Sequence, residues 1–389
     1  MTVEGKRSAA YESAEVRAVV ARVGVLLQAG RFDEARQLLA SLIADDPDNS
    51  MLWQLMAVAH YGAEKYSEAQ DAVTRAIALD PDNAHSYLLF AKILISADCV
   101  GEGIQRAMRA IEIEPDLVEA HVLVSTALGQ LNYGRDRALW HGMRARDLEP
   151  NSAQAHYAVG AALMIGDSRR AAKQAYAPLH AALSIDPQLS HVWNHLAIAH
   201  LRRARSVRAV RGFVTALQLD PQSEVAAHNL PLAVWLLVIR GRWWALGLLF
   251  FTAPTAVVAL ELDAESAVAG SAAHTVGALL IAGAAWWVLV HRLLRVFPAD
   301  MRLAAKGVLR RDRLVRPAWL GQAWALAWQI ATVAVPWWNP AMIAVCMWVS
   351  MLGMWVGTAI SRVQIGKVRK ARQDERHRAW SAAVSAPQP

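Results

Sequence analysis

Apolar positions change character near residue 229 of this 389-residue chain. Before that point they fall in short blocks at helical spacing, separated by polar turn residues. Beyond it the pattern turns into long uncharged runs: Trp243 to Leu260, Ala267 to Val290, Ala318 to Trp337 and Ala341 to Ile360. At about 1.5 Å per residue, even the shortest run is near the thickness of a bilayer's hydrocarbon core. The pattern predicts an all-helical chain with a soluble-type first half and a membrane-type second half.

The first half repeats. Pro47, Pro81, Pro115, Pro150, Pro187 and Pro221 follow one another at spacings of 34, 34, 35, 37 and 34 residues, each after an acidic residue. A period of this length is the mark of stacked helical hairpins, in which each proline stops a second helix. With each proline at position 32 of a 34-residue unit, the stretch Ser190 to Ser223 puts Trp193, Leu196 and Ala197 at positions 4, 7 and 8. Ala209, Phe213 and Ala216 then fall at 20, 24 and 27. These residues resemble the tetratricopeptide repeat at seven of its eight signature positions; His200 stands at position 11, where an aromatic is usual.

The unit Ser50 to Asn83 keeps Trp53, Ala57, Ala69 and Ala76 around the turn Glu64 to Glu68. The unit from Val16 keeps Gly30-Arg31-Phe32 and Ala35 but lacks the early Trp, as a terminal repeat with one free face can. Ala110 and Ala145 hold their places in the third and fourth units, while the fifth is stretched by three residues and carries Pro178 inside its second helix. Small Ala at the crossings lets paired helices approach, and Trp, Leu and Phe fill the gap to the next hairpin.

The expected architecture is therefore a disordered, polar N-terminal tail over 1–15, a tetratricopeptide-type solenoid of about six repeats over 16–228, and a capping, interfacial helix over 229–242. A membrane domain of four spans follows over 243–361, with a basic amphipathic cytoplasmic loop at 291–316, and a basic tail over 362–389. The resemblance implies a groove lined by positions 2, 5, 9 and 12 of the first helices: Met51, Gln54, Val58 and Tyr61; His85, Leu88, Lys92 and Ile95; His191, Asn194, Ile198 and Leu201. That mixture suits an extended or helical segment of a partner protein.

Charge divides the same way. Residues 1–228 hold 23 Lys/Arg against 26 Asp/Glu, net −3, and residues 229–389 hold 17 against 7, net +10. Thirteen of the sixteen Trp also lie in the second half, so the basic character is that of a membrane domain and no nucleic-acid partner is expected. Arg302, Lys306, Arg310 and Arg313 recur on one face of the loop and would lie on the inner leaflet. By the positive-inside rule the loop, both termini and the repeats face the cytosol, and the Ala-, Arg- and Trp-rich usage points to a bacterial plasma membrane.

Candidate chemistry adds little. Cys99 and Cys346 lie in different halves, which excludes a disulfide framework. His191 and His195 stand four apart with His200 beyond, but lack the further ligands a metal site needs. Arg202, Arg203, Arg205, Arg208 and Arg211 could meet lipid headgroups, an acidic partner or water alone. Gly353 and Gly357 would let the fourth span pack closely, within the bundle or across a homodimer. No phosphate loop, nucleophile elbow or zinc spacing occurs, so neither enzyme activity nor a cofactor is expected. The reading is a membrane-anchored interaction scaffold. The alternative is a subunit of a membrane transporter or membrane enzyme whose helical domain, around His274, carries the activity.

Overall fold

The structure, a computed structural model, describes residues 14–132, 134–166, 168–238, 315–334, 345, 348–364 and 366–367. These residues form helices and no strand. They divide into two compact units, one holding 14–166 with 177–185, the other 168–176 with the described residues from 186 onward.

The first unit is built from α1 (Ala14–Gln28), α2 (Phe32–Asp45), α3 (Ser50–Gly62), α4 (Tyr66–Leu79), α5 (Ala84–Ser96), α6 (Val100–Ile113), α7 (Val118–Leu131), α8 (Arg135–Leu148) and α9 (Ala153–Leu163). They pair as consecutive hairpins, each packed on the next. The proline period explains the boundaries. Asp46, Asp80, Glu114 and Glu149 end second helices with φ between −128° and −139°, because a following proline disfavours the helical conformation.

The turn residues then start the next helix. Asn49 Oδ1 accepts the Met51 and Leu52 N–H groups, Asn83 Oδ1 that of Ser86, and Ser152 Oγ that of Ala155. Each such cap is worth about 1 kcal/mol. The acid before the proline joins the same turn, since Asn49 and Asn83 donate to Asp46 and Asp80 at 3.2 and 3.4 Å.

Ala35, Ala57, Ala69, Ala91 and Ala138 are fully buried where helices cross, and Leu39, Leu52 and Ile93 fill the spaces between hairpins. Removing such an aliphatic side chain from water stabilises by roughly 1.5–3 kcal/mol. The fifth hairpin breaks as its proline requires. Its second arm is α10 (Arg169–Gln174) and α11 (Tyr176–Ile185), interrupted where Pro178 has no N–H to donate to the Gln174 carbonyl. Within the first unit, Leu179 of α11 packs so closely on Gly160 that a Cβ there would meet it at 2.6 Å.

The second unit holds α10, α12 (Ser190–Arg202), α13 (Ser206–Leu219), α14 (224–238), α15 (Arg316–Ala334) and α16 (348–364). The helix expected over 229–242 begins at 224 and passes through Pro231. Ala226, Leu230, Ala233, Val234 and Trp235 share a core with Phe213 and Val214 of α13. Val315 and Ala318, at the start of α15, close that core.

The runs expected to be the third and fourth spans correspond to α15 and α16. Among the described residues no helix is long and apolar enough to cross a membrane. Arg316 opens α15 and Gln322 and Gln329 interrupt it, while Arg362 closes α16. The runs at 243–260 and 267–290, the basic loop up to residue 314 and His274 lie outside the described residues.

The small pair in α16 has a partner inside the chain. A Cβ on Gly321 would stand 2.7 Å from the Gly353 carbonyl and 3.2 Å from Gly357 Cα, and one on Gly357 would strike the Pro317 carbonyl. Ser350 Oγ donates to the Ala325 carbonyl at 2.9 Å and Trp324 Nε1 to that of Val349 at 3.2 Å. Gly353 and Gly357 thus serve the contact between α15 and α16, and give no support to a homodimer.

Candidate partner-binding surface

In the first unit, the first helices α3, α5, α7 and α9 lie side by side. Three of them, α3, α7 and α9, are fastened to the preceding turn by a repeated hydrogen bond that begins at position 4. Trp53 Nε1 donates to the Pro47 carbonyl at 2.8 Å, and His121 and His156 donate through Nε2 to those of Pro115 and Pro150 at 3.0 and 2.8 Å. In the second unit Trp193 does the same to Pro187 at 2.9 Å. Trp and His look unrelated in sequence, but both put a ring N–H at the same reach; that equivalence was the signal available and missed.

Adjacent first helices are tied across the surface as well. Tyr61 OH lies 3.0 Å from Ser96 Oγ, and Lys92 Nζ donates to Glu119 Oε2 at 2.8 Å. The Lys92 hydrogen bond, and then its charge, hold the Glu119 carboxyl below the usual range. His85 stands 3.9 Å from Glu114, an ion pair when the imidazole is protonated. Both partners are substantially exposed in each pair, so they set geometry more than stability.

The expected groove residues divide by burial. Met51 and His85 are exposed, while Gln54, Val58, Tyr61, Lys92 and Ile95 are half-buried. Leu88 is buried among Tyr87, Ala110 and Ala120, and does not face a partner. Position 5 therefore lines a surface at Gln54 but packs inward one repeat later. In the second unit His191, Ile198 and Leu201 are half-buried, and Asn194 is buried with its Oδ1 unpaired.

Histidine chemistry here is structural. His195 Nδ1 donates to the His191 carbonyl at 3.0 Å, and His200 Nδ1 lies 3.0 Å from Tyr176 OH. Burial lowers both His191 and His195 below the ordinary imidazole value. Among the described residues no group of three or more His, Cys, Asp or Glu is placed to hold a metal ion.

A buried pair joins α7 to α8. His121 donates through Nε2, which leaves its Nδ1 to accept from His141 Nδ1 at 3.0 Å, with the Trp140 ring edge-on to His141. Burial first, then the neighbouring His121 and Arg137, lower His141 to about 4. Of the arginine run, Arg203 and Arg205 lie over the Tyr176 ring at 5.4 and 5.7 Å. Arg302, Lys306, Arg310 and Arg313 lie outside the described residues.

Known proteins agree on the repeats. Two profiles described as tetratricopeptide repeat match this chain, over residues 6–59 and 54–98. No curated protein matches. Among solved structures, a thermophilic tetratricopeptide-repeat protein from Thermus thermophilus, TTC0263, is 18% identical, covers 47% of this chain and 98% of its own, and superposes with a TM-score of 0.41. YrrB, described as having an unusual peptide-binding site, is 16% identical over 49% of this chain and 96% of its own, TM-score 0.36. The Cut9–Hcn1 hetero-tetramer gives 13% over 74% and 48%, TM-score 0.49.

Proposed function

We propose that this chain of tetratricopeptide repeats is a membrane-attached interaction scaffold. The surface made by α3, α5 and α7 receives an extended or helical segment of a partner protein. One observation carries this reading: Met51 is exposed and Val58, Tyr61 and Ile95 stay half-exposed on a surface whose helices are already fixed to one another by Tyr61–Ser96 and Lys92–Glu119. A preformed face of this kind orders little on binding and so loses little affinity to entropy. Mixed apolar and polar groups on aligned helices suit a segment with alternating apolar anchors.

Attachment to a bilayer is supported by the uncharged runs 243–260 and 267–290, by the basic segments flanking them, and by apolar side chains on α15 and α16 that stay exposed. This reading takes the uncharged runs 243–260 and 267–290 as its spans, with the repeats on the cytosolic side of a bacterial plasma membrane.

Affinity capture from membrane extract tests the surface. Full-length protein is compared with Met51→Glu/Tyr61→Ala/His85→Ala, a triple variant that leaves the buried Leu88 and Asn194 untouched. Partners retained by the wild type should fall at least about tenfold with the variant. Equal capture by both, with equal melting temperatures, would place binding elsewhere.

A further inference from the structure

Between α15 and α16 runs an open cleft of about 570 Å³. Its walls are the aligned faces of the two helices: Leu320 and Trp324 on one, Val356 and Ile360 on the other, over a floor of glycine backbone. Each of these four side chains is about half exposed. Pro317, Leu320, Gly321 and Trp324 follow helical spacing, as do Gly353, Val356, Gly357 and Ile360, so the cleft is a property of both sequences.

Its two ends differ. Arg316 and Gln364 line one end, where α15 begins and α16 ends. Neither helix carries an acidic residue that could neutralise Arg316. Gln364 Oε1 is buried and has no hydrogen-bond partner, so it is an acceptor waiting for a donor. Toward the other end the Trp324 indole lines the cleft and is held by its bond to the Val349 carbonyl. Trp324 lies eight positions after Arg316, which gives an apolar length of about 12 Å.

We infer that this cleft binds one anionic phospholipid: the guanidinium of Arg316 holds the phosphodiester, Gln364 accepts from a headgroup hydroxyl, and an acyl chain lies along Leu320, Val356 and Ile360. The volume falls in the range of small-molecule sites. A cation joined to a buried acceptor at one end of an apolar channel is complementary to such an amphiphile and to neither a neutral lipid nor a free anion. The inference rests on the reading that the C-terminal half meets a bilayer.

Native mass spectrometry of full-length protein in detergent, with phosphatidylglycerol or phosphatidylcholine added, tests it. The wild type should retain one phosphatidylglycerol in clear preference to phosphatidylcholine. Arg316→Gln should abolish the preference, and Val356→Trp, which fills the channel at an already exposed position, should lower retention of phosphatidylglycerol at least about tenfold. Equal retention by wild type and both variants would overturn the site, as would a lipid-free dimer, which would mean that a second copy covers the cleft. Carbonate extraction of the same cells reads attachment separately: protein lost from the pellet counts against the membrane reading, whatever the lipid result.

Discussion

Single side chains set two measurable properties of the repeats. His60, His141, His191 and His195 all titrate below the ordinary value of 6.5, burial being the largest cause in each. Between pH 6.5 and about 4 the unfolded chain therefore takes up protons that the folded chain refuses. Stability is full above pH 6.5 and falls as pH drops through that window. His141 alone accounts for on the order of 3 kcal/mol by pH 4, at 1.36 kcal/mol per pH unit. Urea midpoints at pH 7.5, 6 and 5 should decline, and His141→Gln should flatten the decline; an unchanged slope would remove His141 from this role. The second property is turn strain. Gly30 takes the left-handed conformation at φ 72° without cost, whereas Ala204 is held there at φ 56° in the α12–α13 turn. Ala204→Gly should raise stability by about 0.5–1 kcal/mol, and a lower melting temperature for that variant would contradict the assignment.

At the scale of the element, the hairpin owes its reproducibility to a turn that both ends one helix and fastens the next. Replacing Trp53 with Phe keeps the ring but leaves the Pro47 carbonyl without its donor, and should cost about 1–2 kcal/mol. Denaturant titration of Trp53→Phe beside Trp53→His separates the two contributions. His, which makes this bond at positions 121 and 156, should restore part of the loss, and a His variant no better than Phe would refute the equivalence. The boundaries themselves were legible in sequence because acid–proline steps and crossing alanines act locally. Pro178 announced the broken arm of the fifth hairpin for the same reason. What sequence concealed depends on partners distant in the chain. Leu88 turned inward because Ala110 and Ala120 close over it, and Lys92 met a glutamate 27 positions away. Gly353 and Gly357 showed a close approach without showing that Gly321 makes it.

Across the whole molecule, charge and apolarity are distributed so that the two halves suit different surroundings. The first 228 residues are close to neutral, and the hairpins of the first unit close apolar faces against one another, while the remainder carries a net +10 and leaves Trp348, Leu352, Trp355 and Ile360 open. On the proposed membrane attachment, the basic segments next to the uncharged runs would stay on the cytosolic side, since moving them across costs far more than leaving them at an anionic leaflet. That orientation can be read through a residue the repeats already supply. Cys99 is exposed in the turn between α5 and α6, and the remaining thiol, Cys346, can be replaced by Ala. In intact cells with a permeabilised outer envelope, a membrane-impermeant maleimide should leave Cys99 of the Cys346→Ala protein unmodified, and lysis should expose it fully. Labelling before lysis would put the repeats on the outer face, and the partner would then have to be sought outside the cytosol. Protection before lysis, together with retention in the carbonate pellet, would hold the first-helix surface at the cytosolic leaflet, where a partner captured by Met51, Tyr61 and His85 would be drawn to the membrane.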